Sequence, residues 1–257
     1  DKAVTAKTRL VWIESPTNPM LRIVDVAACA EIARRHGAKL VVDNTFATPY
    51  FQQPLALGAH IVVHSTTKYV GGHSDVLGGA VVVDDEETAQ TLRFTRNATG
   101  GIPGPWDAWL TLRGAKTLAL RMREHERNAA RVAEFLRGRP EVSQVLFPGL
   151  PDHPGHELAR RQMTGFGGVV TIDLAGGEPA ARTLCESTRL FSLGESLGGV
   201  ESLIGQPWTM SHGAFPPEEK RRKGILESTV RLSVGIEHPD DLCEDLAQAL
   251  RAASRAG

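Results

Sequence analysis

The chain has 257 residues, 41% of them hydrophobic and 23% charged, with a formal net charge of −1. That length suits one large globular domain or two moderate ones, and the near-neutral balance gives no reason to expect nucleic acid or a membrane surface as partner. No apolar run approaches the roughly 18 residues of a membrane span. Cys29, Cys185 and Cys243 lack C-x-x-C spacing and fall in helix-like segments, so they read as buried thiols of a reducing, cytoplasmic protein, neither disulfides nor metal ligands.

In chain order, Leu10–Ile13 is expected as the first strand and Asp25–His36 as the first helix, opened by Asp25 and closed by Gly37. Lys39–Val42 is the second strand, Ala59–Val63 the third and Gly79–Val83 the fourth. Strand and helix alternate here in the manner of a parallel sheet with crossovers. Helices follow over Asp84–Asn97, Trp106–Arg113 and Ala115–Arg137, the last long enough to link two domains. Beyond Gly138-Arg139-Pro140, strands at Val142–Leu146, Val169–Leu174 and Val230–Val234 alternate with helices at His156–Gln162, Pro179–Ser187 and Asp240–Ala252. This predicts a smaller α+β domain, with residues 1–119 in the first unit and 120–257 in the second. The charged stretch Pro216–Lys223 is expected to be a solvated segment.

The most informative run is His64-Ser65-Thr66-Thr67-Lys68, just past the third strand. Open α/β sheets bind ligands at the carboxyl ends of their strands. Hydroxyls of Ser65 and Thr67 suit phosphate oxygens, and an amine beside a phosphate is what an imine with pyridoxal phosphate requires. Asp43 ends the second strand after buried valines, where an acid needs a cationic partner. A pyridinium nitrogen would be that partner, and an Asp capping a turn is the plain alternative. Asn18, in Ser15-Pro16-Thr17-Asn18-Pro19, can hydrogen-bond the phenolic oxygen of such a cofactor, or simply make a turn. Arg231 alternates with apolar residues on a strand; its fork matches a substrate carboxylate, although the solvent face is the ordinary place for such a residue.

Gly194-Glu195-Ser196-Leu197-Gly198 matches the G-x-S-x-G elbow of serine hydrolases, with Ser196 as nucleophile. The elbow needs a strand before it and a helix after it, and the extra Gly199 weakens an immediate helix. Histidine spacings show no HExxH, and there is no Walker loop and no G-x-G-x-x-G after the first strand, so no metal or nucleotide site is expected.

Six stretches, SPTNP (15–19), VDNTF (42–46), HSTTKYVGGHSD (64–75), TLRGAKTLALRM (111–122), ESLGGVES (195–202) and RLSVGIE (231–237), together resemble the cystathionine γ-lyase/γ-synthase family of Cys/Met-metabolism enzymes dependent on pyridoxal phosphate. The resemblance implies an aspartate-aminotransferase-like, fold type I large domain with a parallel or mixed sheet, plus a C-terminal α+β domain. It implies Lys68 as imine-forming lysine and proton shuttle, Asp43 as partner of the ring nitrogen with Thr45 nearby, Ser65 and Thr67 as phosphate contacts, and Asn18 as contact to the ring oxygen. Ser196 and Arg231 would hold the substrate carboxylate, and Glu195 would meet the distal ammonium of cystathionine. The activity implied first is γ-elimination of cystathionine to cysteine, 2-oxobutanoate and ammonia. Cystathionine γ-synthase and then O-acylhomoserine sulfhydrylase are the alternatives, with a non-catalytic relative as a further one. Homotetramers built from dimers are implied. The family's upstream stacking tyrosine, Gly-rich phosphate cup and Tyr-x-Arg segment have no counterpart, and the chain opens at Asp1. A member lacking its N-terminal part, with little turnover as it stands, is therefore expected.

Overall fold

The computed structural model describes residues 2–256. β1 (Leu10–Glu14) leads to α1 (Val26–Arg35), whose N-cap Asp25 accepts a hydrogen bond from Ala28 N at 2.9 Å. α1 packs Val26, Ala30 and Ala33 on Leu40 and Val42 of β2 (Lys39–Asp43). Each fully buried Val or Leu there is worth about 1.5–3 kcal/mol. The short α2 (Thr48–Phe51) and a 3₁₀ turn at Pro54–Leu57 precede β3 (Ile61–Ser65). β3 begins two residues later than the apolar run suggests, because Gly58 turns the chain at φ +93° and Ala59 N still bonds Pro54 O in that turn.

β4 (Gly79–Val82) is the fourth strand of this sheet, in order β1-β2-β3-β4, and makes the sheet mixed instead of purely parallel. β1, β2 and β3 are parallel, whereas β4 is antiparallel to β3. The cause is local. No crossover helix of useful length lies between β3 and β4, so the chain can return only as an antiparallel edge. Thr66 N and Thr67 N both reach Gly78 O and close that return.

α3 (Glu86–Thr99) lies exposed, and α4 (Pro105–Ala115) runs into α5 (Leu118–Arg137). α5 is 20 residues long, or about 30 Å. Its first turns place Met122 in a cluster with Phe46, Tyr69, Val169 and Leu197, while Ala129, Val132, Ala133 and Leu136 enter the core of the second sheet. That sheet is built from β5 (Val142–Leu146), then β6 (Val169–Leu174) after α6 (His156–Gln162), with α7 (Gly177–Ser187) packed behind. The short β7 (Ser192–Leu193) and β8 (Leu203–Gly205), α8 (Pro217–Arg222), β9 (Thr229–Ser233) and α9 (Pro239–Ala253) complete it, in order β5-β6-β9-β8-β7. All pairs are antiparallel except β7 with β8.

Two expectations are corrected. The charged stretch at α8 is not wholly solvated: Lys220 is 5% exposed, its Nζ donates to Trp208 O at 2.8 Å, and it lies 4.5 Å from the Trp208 ring centroid. The face of α8 that carries it is anchored inward. Of the three thiols, all free and all in helices, Cys185 and Cys243 are buried but Cys29 is only half-buried. No described helix is long and apolar enough to cross a membrane.

Candidate active site

Because β1, β2 and β3 run parallel, Glu14, Asp43 and Ser65 end at one edge of the sheet, where Glu14 registers with Asp43 and Asp43 with Val63. Backbone amides lock this edge. Thr45 N donates to Asp43 Oδ1 at 3.0 Å, Ser65 N to Thr45 Oγ1 at 2.8 Å, and Asn44 N to Val63 O at 2.9 Å. Asp43, Thr45 and Ser65, three residues singled out from sequence, are thus tied together.

After β3 the chain makes one wide turn, Thr66–Val70, closed by Gly71 N on Thr66 O at 2.8 Å. Lys68 sits inside it with φ −90° and ψ −132°, outside the helical region. Such wide turns concentrate at functional sites. The Lys68 amine donates to Ser196 Oγ at 2.7 Å. Burial, then the nearby Arg231 guanidinium, push this amine below the ordinary lysine value, and the Glu195 carboxylate opposes them.

Ser196 comes from the loop between β7 and β8 and holds φ +91°, a left-handed conformation that costs a non-glycine residue about 1–2 kcal/mol. Gly198 lets that loop approach: a Cβ there would lie 2.7 Å from Tyr69 N. The chain continues into β8, not into a helix, so the hydrolase elbow is not formed. Here Gly198 serves contact with the Lys68 turn.

Arg231, on β9, does not face solvent. It is 6% exposed; Nη1 donates to Asn18 Oδ1 at 2.9 Å and Nη2 to Ser196 O at 2.6 Å. Its Nε is buried without an acceptor. The structure therefore brings Asn18, Lys68, Ser196 and Arg231 together from four segments, with the exposed Glu195 beside them. Thr67 differs somewhat from expectation. Its hydroxyl is engaged by Gly78, accepting from N at 3.0 Å and donating to O at 3.3 Å, whereas the Ser65 hydroxyl makes no hydrogen bond among the described residues. A cleft of about 740 Å³ opens beside this cluster, lined by Thr67, Ser74, Asp75, Glu195, Ser196 and Glu201 among others.

Glu14 was not singled out from sequence, yet its Oε1 accepts from Asn18 N at 2.9 Å and so fixes the Asn18 loop. Burial raises its carboxyl, and the Asp43 charge adds to the rise. The signal available was its position at a strand end, four residues before Asn18. The loop it steadies contains cis bonds at Ser15-Pro16 and Asn18-Pro19.

The donor set fits pyridoxal phosphate. A half-buried amine of lowered pKa is available for an aldehyde, a strand-end carboxylate for a ring nitrogen and a free hydroxyl for a phosphate oxygen. The buried Arg231 Nε has an unmet donor, as an approaching carboxylate would require. Among the described residues no group of three or more His, Cys, Asp or Glu side chains could hold a metal ion.

Comparison with known proteins agrees with this geometry. Residues 1–251 match the family described as Cys/Met metabolism PLP-dependent enzyme. The chain is similar to the cystathionine gamma-synthase of Mycobacterium leprae, 56% identical over 248 residues, covering 96% of this chain and 63% of that relative. It is similar to the cystathionine gamma-lyase of Bacillus subtilis, 50% identical over 250 residues, 97% of this chain and 66% of that one. The crystal structure of metB from Corynebacterium glutamicum superposes with a TM-score of 0.94 at 54% identity, covering 97% of this chain and 64% of that chain. The chain thus spans a little under two thirds of the length of these relatives.

Proposed function

The chain belongs to the Cys/Met metabolism PLP-dependent enzymes, and from that premise we propose that it serves chemistry at the Cγ–S bond of cystathionine, with pyridoxal 5′-phosphate as cofactor. The observation that carries this reading is the meeting of Lys68 Nζ with Ser196 Oγ at 2.7 Å, on a loop whose Ser196 carbonyl also binds Arg231. When bound, the cofactor supplies an electron-withdrawing pyridine ring that takes up the charge left at Cα of an amino acid.

Each residue has a task that its surroundings support. Lys68 Nζ is the atom to hold the cofactor aldehyde, and its lowered pKa keeps more of the amine neutral, the form that accepts a proton. Asp43, steadied by Thr45 N, is oriented to keep a ring nitrogen protonated. Asn18 Oδ1 accepts from Arg231 Nη1, which leaves the Asn18 amide N–H groups for the ring oxygen. Ser65, with Thr67 after release from Gly78, would hold phosphate. Arg231 and Ser196 would orient the substrate α-carboxylate, and Glu195 would attract a distal ammonium.

Two directions share these tasks. Replacement, in which cysteine sulfur bonds Cγ of an O-acylhomoserine as the Cγ–O bond breaks and the acyloxy group leaves as a carboxylate, is favoured by the higher identity to a synthase, 56% against 50% for a lyase. Elimination of cystathionine with water to cysteine, 2-oxobutanoate and ammonia, the expectation from sequence, is the second reading, supported by the lyase relative and by Glu195 beside the amine. The test common to both is borohydride reduction of the protein with pyridoxal phosphate, followed by peptide mapping. A reduced adduct at Lys68 is expected. Adducts confined to other lysines would overturn the reading. Assays of cysteine release from cystathionine, against cystathionine formation from O-acylhomoserine and cysteine, then separate the directions.

A further inference from the structure

Arg121, in the first turns of α5, is 4% exposed, and among the described residues no carboxylate pairs with it. A buried cation without an anion is costly unless many polar groups surround it. Here the acceptors are neutral. Nη1 donates to Tyr69 O at 2.6 Å, Nη2 to Gly114 O at 2.8 Å and to Val70 O at 3.3 Å, and Nε to Thr117 Oγ1 at 3.0 Å. Tyr69 and Val70 belong to the turn that carries Lys68, whereas Gly114 lies at the carboxyl end of α4, whose dipole favours a cation. Thr117 completes the ring by donating to Gly114 O at 3.1 Å.

Two glycines are shaped to this contact. A Cβ at Gly72, which has φ +73°, would lie 2.1 Å from Arg121 Nη1, and a Cβ at Gly114 would lie 2.1 Å from Gly71 O. The start of the turn is held at Gly78 O through Thr66 N and Thr67 N, and its own closing bonds are Gly71 N on Thr66 O and Gly72 N on Lys68 O, whereas the carbonyls of Tyr69 and Val70 are met by Arg121. Without the guanidinium, the carbonyls of Tyr69 and Val70 lose their Arg121 donor next to a residue of non-helical conformation. Arg121, Thr117 and Gly114 are not among the residues that line the cleft described above.

We propose that Arg121 is a positioning residue for Lys68: it staples the Thr66–Val70 turn to the α4–α5 junction and so holds the Lys68 backbone where Nζ meets Ser196. The proposal rests on the reading of Lys68 as the reacting amine. The Lys68 environment that the staple preserves contains Arg231 on β9 and Glu195 and Ser196 on the β7–β8 loop, and the amine leaves it for water if the turn relaxes.

The test uses Arg121→Met, and Thr117→Val as a milder variant that removes the Nε acceptor and the Thr117 bond to Gly114 O but leaves the guanidinium on the Tyr69 and Val70 carbonyls. Two properties are measured on the protein without cofactor. One is amide hydrogen exchange in residues 66–72, 169–174 and 229–233. The other is the pH midpoint for reductive methylation of Lys68 by formaldehyde and cyanoborohydride, read by peptide mapping. In Arg121→Met, exchange over 66–72 should rise about tenfold or more while the two sheet segments stay unchanged. The Lys68 midpoint should move up toward that of an ordinary lysine, and Thr117→Val should show the same changes in smaller degree. An unmoved midpoint with the protein folded, or exchange accelerated equally in all three segments of Thr117→Val, overturns the proposal. If Arg121→Met does not fold, Thr117→Val decides alone. A wild-type midpoint equal to that of exposed lysines sinks the reading of Lys68 instead, and the exchange comparison still judges the staple.

Discussion

Arg231 shows how much a single side chain gains from where its backbone is placed. A lysine at this position would keep the charge but lose the planar fork that reaches Asn18 Oδ1 and Ser196 O at once. Hydrogen bonds to charged groups contribute about 1.5–3 kcal/mol each, so Arg231→Lys should weaken binding of an amino-acid carboxylate by roughly 10- to 100-fold. The check is titration of the cofactor-loaded protein with substrate amino acid, read as a dissociation constant. An unchanged constant would place the carboxylate elsewhere. The pKa of the Lys68 amine is lowered by two causes of different reach, burial and the Arg231 charge. Ser196, in its left-handed conformation, is held on one side by that amine and on the other by its own carbonyl's bond to Arg231. Its strain is therefore maintained by the same groups that define the site.

At the scale of elements, loops are positioned by buried polar anchors. Asp245 of α9 accepts from the backbone N–H groups of Arg189, Leu190 and Phe191 at 2.8–3.1 Å, and so fixes the approach to β7. α8 acts similarly on the segment before it. Lys220 Nζ binds Trp208 O, and that segment brings Met210 and Ser211 to a small pocket shared with Glu195 and Arg231. Lys220→Met removes the donor and the cation over the Trp208 ring while keeping much of the buried stem. It should cost about 1–3 kcal/mol of unfolding free energy by urea titration, with faster exchange localised to residues 207–216. A loss below about 0.5 kcal/mol would show that the segment holds without its lysine.

Across the whole molecule, His125 joins the two sheets. Its Nδ1 donates to Val234 O at 2.7 Å just past β9, and its ring meets Tyr69 edge-on with centroids 5.1 Å apart. Burial is the main cause that lowers its pKa to about 4, with the Arg121 charge acting in the same direction. The unfolded chain, with histidine near 6.5, binds the proton more tightly than the folded one, so stability rises with pH through this interval. The contribution is fully present above pH 6.5 and is lost as the pH falls toward 4, to a total of about 3 kcal/mol. The half-buried Glu14 and Glu126 and the buried Asp173, all raised by desolvation, act in the opposite sense. The difference between wild type and His125→Asn isolates the histidine. Urea titrations at pH 7, 5.5 and 4 should show a shallower loss in the variant, and parallel curves would refute the assignment.

Much of this was legible in the linear order of residues. Val142–Leu146, His156–Gln162 and Val169–Leu174 form the expected elements with the expected bounds, because hydrophobic periodicity is a property of neighbours in sequence. The chemistry of the site was legible in kind for the same reason: an amine after hydroxyls, an acid after buried valines, an arginine between apolar residues. Strand ends in a parallel sheet also fix which edge Asp43 and Ser65 share. Other features depended on partners distant in the chain. The direction of β4 followed from the lack of a crossover. The burial of Arg231 followed from Asn18 and Ser196 closing over it, and that of Arg121 and Lys220 from backbone carbonyls supplied by other segments. A carbonyl leaves no mark in residue identity, since every residue carries one. Sequence thus determined which elements form and which chemical groups are available, while the tertiary structure alone decided which cations are buried and what each one holds, because electrostatic and hydrogen-bond partners are chosen by distance in space.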